Sequence, residues 1–317
     1  MFNVEKGHIP LLTYLIRRTL QMLVTLLVAS MVVYGAMQLV PGDPVMAMFF
    51  PNVPSPERLE SIREELGLND PFYIRYFQWL AGALRGDLGE SYKQYRPVSD
   101  ILAQTIPGTI ELGIAGIVVS LLIGIPVGVL AGITENKWVD NTVMVIALIG
   151  VSAPSFWLGL LLMLVFSLYL GWFPSFGVGG FAKLVLPALT LGLYGGGYLA
   201  RFARSSVLEI KYQDYVTTAR AKGISEWRVT VQHVLRNALI PVITMSGMLA
   251  GYMMGGAVIV ETVFGRSGVG SMLVRSISDK DYPLVQALLF FAVGVFILMN
   301  LVVDLSYAYI DPRIRYD

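Results

Sequence analysis

The 317 residues contain no cysteine, which rules out disulfides, thiolate metal sites and thiol catalysis. Histidine is almost missing too. His8 and His233 are the only two, too few for a histidine metal cluster, and no H-E-x-x-H motif occurs. The phosphate-binding pattern G-x-x-x-x-G-K-[ST] is also absent, so the chain cannot hold ATP in the P-loop manner. Charged residues make up only 14%, against about 25% in an ordinary soluble domain. The net charge of +1 gives no basis for nucleic-acid binding.

Apolar residues fill the gap. They reach 55% of the chain, with a mean hydropathy of +0.65. They fall in long blocks, as membrane spans do, and a soluble fold of this balance would expose large apolar patches. A helix needs about 20 apolar residues to cross the hydrocarbon. Six stretches qualify: Thr19 to Val40, Leu112 to Ile133, Asn141 to about Leu170, Leu184 to Ala203, Leu239 to Phe264, and Leu284 to Tyr307. The fold class expected is therefore all-α integral membrane with about six transmembrane helices. Pro154 interrupts the third stretch, so a split into seven spans is the alternative. Arg17 and Arg18 precede a first stretch longer than a signal h-region, with no small-x-small site after it, so an uncleaved span is expected.

Basic residues set the orientation. With the N-terminus inside, the inner segments hold Lys137, Arg201, Arg204, Lys211, Arg220, Lys222, Arg228 and Arg236, among others. The short outer loops hold only Lys183, Arg266, Arg275 and Lys280. Both termini are then cytoplasmic. The expected division is 1–40 for the N-terminal segment and first span, 41–108 for an outer helical insertion, 109–308 for the transmembrane domain with an inner loop at 204–237, and 309–317 for a cytoplasmic tail. In the insertion, Ser55 before Pro56 and Glu57 predicts a helix start. Leu59, Ile62 and Leu66 form its apolar stripe, and Gly67 ends it. A second helix from Pro71 would place Ile74, Phe77, Leu80 and Leu84 on one side. Such a segment is either a small packed cap or a docking surface for an external partner.

The inner loop is the most informative stretch. Leu208, Tyr212, Tyr215 and Ala219 recur at helical spacing, and Lys222 with Gly223 supplies a stop. Ser225 can cap a second helix with Trp227, Val231, Val234 and Ala238 in its stripe. That helix runs into the fifth span through Pro241. A helix, glycine turn and helix tied to a span suits a lever, and it equally suits a plain basic loop.

The run Asp214-Tyr-Val-Thr-Thr-Ala-Arg-Ala-Lys-Gly223, with Leu235-Arg-Asn-Ala-Leu-Ile-Pro241, resembles the cytoplasmic coupling loop of binding-protein-dependent ABC importer permeases. It is similar to the branch that moves dipeptides, oligopeptides and nickel. Across importers the loop carries Glu-Ala-Ala and then glycine. Here Thr217-Thr218-Ala219 and Gly223 stand in those places, so the glutamate's role does not transfer. The proline also lies further from the glycine than in the sugar-importer version. Pro41-Gly42-Asp43-Pro44, Arg85-Gly-Asp-Leu-Gly89, Pro154-Ser-Phe-Trp-Leu-Gly159, Glu261-Thr-Val-Phe264, Asp281-Tyr-Pro-Leu-Val285 and Asp311-Pro312-Arg313 resemble further signatures of that branch, in order along nearly the whole chain. They resemble its B-type permease.

The resemblance implies the type I ABC importer permease fold in a bacterial or archaeal cytoplasmic membrane. It implies a homologous second permease, two cytosolic ATPase subunits that bind ATP and magnesium, and an extracytoplasmic solute-binding protein. It places Ala219, Arg220, Ala221, Lys222, Gly223, Ile224 and Ser225 at or beside the ATPase contact. No cofactor is implied for the chain itself. The cargo would be di- or oligopeptides, with nickel chelates, glutathione or another small solute as alternatives.

Within the spans, Glu111, Glu261 and Asp304 lie near helix ends, within expected reach of solvent or headgroups. No buried acidic relay is visible, which argues against a self-sufficient secondary transporter or channel. Ser267 and His233 fall on opposite faces, so no serine dyad forms. Glycines repeat at 247, 251 and 255 and cluster at 192 and 195–197. They allow either close packing or sliding of helices. The break around Pro154 can line a cavity, because irregular backbone at membrane depth must be buried or face water. Ser152, Pro154, Ser155, Trp157, Tyr194 and Ser246 are the expected pathway residues. Interhelical hydrogen bonding and interfacial anchoring are their ordinary alternatives.

Overall fold

A computed structural model describes residues 11–39, 43–49, 52–65 and 67–310. The chain is helical: α1 Leu11–Gln38, α2 Pro44–Phe49, α3 Pro56–Glu65, α4 Phe72–Leu84, α5 Val98–Ile133, α6 Lys137–Ser152, α7 Ser155–Leu162, α8 Phe181–Lys211, α9 Asp214–Ala221, α10 Glu226–Arg228, α11 Arg236–Val263, α12 Val269–Ser278 and α13 Tyr282–Ile310. Two π-helical segments continue α7 and precede α11, at Met163–Tyr169 and Val229–Leu235.

Among the described residues, four helices are long and apolar enough to cross a membrane, and five when the bent pair α6–α7 counts as one span. That pair bends by 107° at Ala153-Pro154. Pro154 lacks an N–H and disfavours a helical residue before it, and Ala153 is extended there. The 16 residues of α6 span only about 24 Å, short of a crossing by themselves. The stretch 184–203 lies in α8, whose 31 residues include four glycines, two tyrosines and two arginines between 192 and 204. Apolarity alone does not mark this helix. It is covered by protein, packed against α5, α6 and α11.

Glycine sets that packing. Gly116, Gly124, Gly128 and Gly132 lie along α5, and a Cβ on Gly124 would come within 2.6 Å of the Gly196 carbonyl oxygen. From the α8 side, a Cβ on Gly197 would meet the Ala147 carbonyl of α6 at 2.5 Å. Ser120 fills the seam and donates to the Gly116 and Gly192 carbonyls at 2.9 and 3.0 Å. A core of Leu112, Leu191, Leu199, Val242, Leu249, Met253 and Phe264 joins α5, α8 and α11. By contrast, Gly255 has nothing within 4 Å of a built Cβ. The α11 glycine repeat therefore does not make a packed seam within the chain at Gly255, whereas the α8 cluster does.

Three helices, α2, α3 and α4, lie between α1 and α5. Leu59 N donates to Ser55 O at 3.0 Å where α3 starts, and Gly67 takes φ +61° beyond its end. Leu59 and Ile62 are buried with Val45. Leu66, Pro41 and Gly42 lie outside the described residues, as does the 311–313 motif. The α4 stripe differs from expectation. Phe77 and Leu84 are exposed, and the residue that packs is Tyr76. Its ring meets that of Tyr34 of α1 edge-on, and its hydroxyl shares a 2.8 Å hydrogen bond with Ser30. An aromatic face with polar tips outcompeted the aliphatic one because α1 offers matching groups there. The outward face of α1, with Leu20, Val24, Val28 and Val32, is exposed.

The segment after α4 is pinned by Asp281. This carboxylate is 1% exposed and accepts from Ser91 Oγ and from the backbone N–H groups of Tyr92 (3.1 Å) and Lys93 (3.4 Å). Replacing Asp281 with alanine leaves those buried donors unpaired, at a cost of about 2 kcal/mol. The expected result is a lower melting midpoint and faster proteolysis at residues 85–97. Asn, which keeps one acceptor oxygen, should lose less.

Candidate functional site

Two features lie on the helices α8 and α11. The first is the loop between α8 and α11. Helix α8 ends at Lys211, the chain breaks at Tyr212 and Gln213, and α9 starts afresh. At the end of α9, Gly223 adopts φ +75°. Its N–H donates to Arg220 O at 2.9 Å, and the Ile224 N–H donates to Ala219 O at 3.4 Å. That is a Schellman closure, with the apolar contact of Ile224 beside Ala219 that accompanies it.

The buried faces differ from the expected stripes. Tyr212 and Trp227 are 73% and 79% exposed. The residues that pack are Val207, Val216, Ala219, Val229, Val234 and Ala238. The break at 212–213 resets the phase of the first stripe. The π-helical segment resets the second, because its wider turn places Val229 and Val234, five apart, on one side. Ser225 occupies the N-cap position of the following helix without a side-chain capping bond.

Of the seven expected loop residues, Ala219 is a buried foot, whereas Ala221, Lys222, Gly223 and Ser225 are exposed. Arg220 turns back on the chain. Its guanidinium meets both oxygens of Glu226 at 2.9 to 3.2 Å and donates to Lys211 O at 3.2 Å. One side chain thus ties the end of α8 to both arms of the turn. Hydrogen bonding to Glu226 pushes the Arg220 pKa above its ordinary value, so this clamp stays charged. Ser206 Oγ of α8 donates to Ala238 O of α11 at 2.8 Å. The turn and α11 are therefore joined by packed and hydrogen-bonded contacts.

The second feature is a cavity of ≈ 760 Å³ between the α6–α7 break, α8 and α11. Ser152, Pro154, Ser155 and Tyr194 line it. Trp157 and Ser246 do not. Trp157 is half-exposed, and Ser246 donates to Val242 O of its own helix at 2.8 Å. Sequence reasoning missed Tyr198, Tyr252, Met245 and Met248. The i, i+4 spacing of Tyr194 and Tyr198 on α8 could have found the first of these. The break also leaves the first N–H groups of α7 without helical acceptors, since the helix bonds begin with Leu158 N to Pro154 O at 3.1 Å. The wall is therefore mainly apolar and aromatic, with hydroxyls and free backbone groups at intervals. Tyr252 is 71% exposed, so the cavity opens on an uncovered side of the chain.

Near the end of α11, Glu261 is fully buried rather than within reach of solvent. Thr109 Oγ1 donates to it at 2.6 Å and Ser271 N at 3.0 Å. Its carboxylate caps α12, where a negative charge is favoured, and Gly268 leaves room, since a Cβ there would sit 2.2 Å from Oε1. Glu111 pairs with the buried Arg266 at 2.8 Å. The side chain of Asp304 lies outside the described residues. Among the described residues, no group of three or more His, Cys, Asp or Glu could hold a metal ion.

The comparisons with known proteins agree with this plan. Residues 124–316 match the family model described as binding-protein-dependent transport system inner membrane component, and residues 11–113 match its N-terminal companion. The glutathione transport system permease protein GsiC of Escherichia coli O6:H1 is 41% identical over 306 residues, covering 96% of this chain and all of the relative. A protein of Brucella abortus (strain 2308), provisionally named a peptide transport system permease protein, is 40% identical over 311 residues, covering 96% of this chain and 99% of that one. An inward-facing structure of the MetNI methionine ABC transporter superposes with a TM-score of 0.58 at 20% identity, over 67% of this chain and 96% of that one. A histidine-bound amino acid ABC transporter gives 0.54 at 13% identity, over 67% and 94%. These two share the fold. The chain belongs to the binding-protein-dependent transport system inner membrane components, the permease subunits of ABC importers.

Proposed function

We propose that this chain is one half of the channel through which short peptides are imported, driven by separate ATPase subunits. The observation that carries the proposal is the joining of the exposed Gly223 turn to α11, one wall of the 760 Å³ cavity. In this scheme the turn Ala219–Ser225 docks in a groove of an ATPase. Ala221, Lys222, Gly223 and Ser225 make the contact, Ile224 and Ala219 anchor it, and Arg220 keeps its shape. ATP and magnesium are bound by two such subunits, and this chain borrows their energy. A homologous second permease covers the open side of the cavity, and an external solute-binding protein delivers cargo to the outer face.

The segments fall into the N-terminal span, the outer insertion, the transmembrane domain and the tail, although α5 runs unbroken across residue 108. Both termini and the 204–237 loop lie in the cytoplasm, and lipid surrounds α1. Ser152, Pro154, Ser155 and Tyr194 line the route. The names of the relatives supply the cargo class. Glutathione is itself a tripeptide, so the glutathione alternative falls within the same proposal.

The test is co-expression with the candidate sister permease and ATPases. The expected result is co-purification of all subunits and receptor-dependent, ATP-dependent uptake of a labelled dipeptide in proteoliposomes. An intact chain that captures no ATPase, or uptake driven by an ion gradient with this chain alone, overturns the proposal.

A further inference from the structure

Two arginines stand three residues apart in the last third of α8, and the fold uses them differently. Arg204 is paired: its Nε and Nη2 meet both oxygens of Asp140 on α6, each at 2.5 Å. Arg201 is not. Among the described residues no carboxylate lies within ion-pair distance of it. Its guanidinium instead lies 5.5 Å from the ring centroid of Tyr198.

Tyr198 is a wall of the cavity, and its ring meets that of Tyr194, another wall, at 5.3 Å. Tyr194, Tyr198 and Arg201 are spaced i, i+4, i+7, so they share one face of α8, and Arg201 lies about 10 Å beyond Tyr194 along the axis. No residue lining the cavity is charged. Stacking on Tyr198 holds the guanidinium in place without neutralising it. A lone cation beside a low-dielectric wall sets the sign of the local potential.

We propose that Arg201 makes the pathway selective by charge, passing net-anionic short peptides faster than net-cationic ones. The inference rests on the peptide-import proposal above. A basic residue at this end of a span also serves orientation in the membrane, but that role is blind to the charge of the cargo.

The test uses the assembled complex in proteoliposomes, with the solute-binding protein saturated, so that the maximal rate reports passage rather than capture. Uptake of Ala-Glu, Ala-Ala and Ala-Lys is measured for the natural chain, for Arg201→Gln and for Arg201→Lys, with ATP hydrolysis as the control for assembly. In Arg201→Gln the Ala-Glu to Ala-Lys rate ratio should fall about fivefold, as expected for loss of one charge from a focused field. Ala-Ala should change least, half-saturating concentrations should stay fixed, and Arg201→Lys should keep most of the ratio. An unchanged ratio in Arg201→Gln, whether or not all rates fall together, overturns the inference and leaves the import proposal standing. A natural complex that moves none of the three peptides overturns both.

Discussion

Replacing Gly223 with valine should lower ATP-coupled uptake at least tenfold while the chain still inserts in the membrane. The turn holds Gly223 at φ +75°. For a residue with a Cβ this conformation costs about 1–2 kcal/mol, and β-branching raises the cost. Crowding contributes nothing, because no atom lies within 4 Å of a built Cβ. The penalty is therefore purely conformational, and it falls on an eight-residue helix, α9, with only Val216 and Ala219 buried. Loss of the Schellman closure would free Ile224 and release the exposed arm of the loop. Asparagine tolerates the left-handed region best among non-glycine residues, so Gly223→Asn should retain most uptake. Gly223→Asp tests the surface instead, because it adds charge at the contact proposed for the ATPase. Co-purification of the ATPases should fall for valine and aspartate and hold for asparagine. Equal uptake by Gly223→Val and the natural chain would show that the turn's geometry is not needed for coupling.

A second large effect is expected at Gly128. A Cβ there would lie 2.3 Å from the Ala200 carbonyl oxygen and 2.8 Å from Ala203 Cβ. Backbone cannot yield as a flexible side chain can, so α5 and α8 would have to separate. Gly128→Ala should destabilise the chain by about 3 kcal/mol, the upper end for overpacking, and Gly128→Leu should abolish folded material. The measurement is the melting midpoint in detergent, with yield as a second readout. Gly255→Ala is the contrast. It meets open space and lines the cavity, so its midpoint should hold and any change should be in transport.

Much of this was legible in the sequence. Long apolar runs announced the spans, and Pro154 announced the break, because a missing N–H and a ring clash act locally. Gly223 as a helix stop was legible for the same reason. Faces were harder to read. The α4 stripe was set by what α1 presents, Ser30 and Tyr34, and only a tertiary contact can decide that. The inner loop lost its phase at two irregularities, the break at Tyr212 and the π-helical turns at 229–235, and a regular period assumes neither. Glu261 looked peripheral by position along its helix. Its burial depends on Thr109, 152 residues away. Cavity residues at the α6–α7 break and Tyr194 on α8 were recovered, whereas Tyr198 on α8 was missed despite its spacing, and Tyr252 and Met248 on α11 carry no local signal.

The π-helical segment Val229–Leu235 has a consequence for how this loop can vary between relatives. It accommodates one residue more than an α-helix would while keeping Val229 and Val234 on the buried side and Ala238 in line beyond them. Removing a single residue at the exposed Val231 or Gln232 would close the wide turn into an ordinary one. The apolar faces before and after it would stay in register, and α11 would not be rotated by the ~100° that a one-residue deletion imposes on a regular helix. The stretch from Gly223 to Pro241 can thus change length by a residue without turning the span it leads into. A one-residue deletion should be tolerated at this position and almost nowhere else between the turn and the cavity.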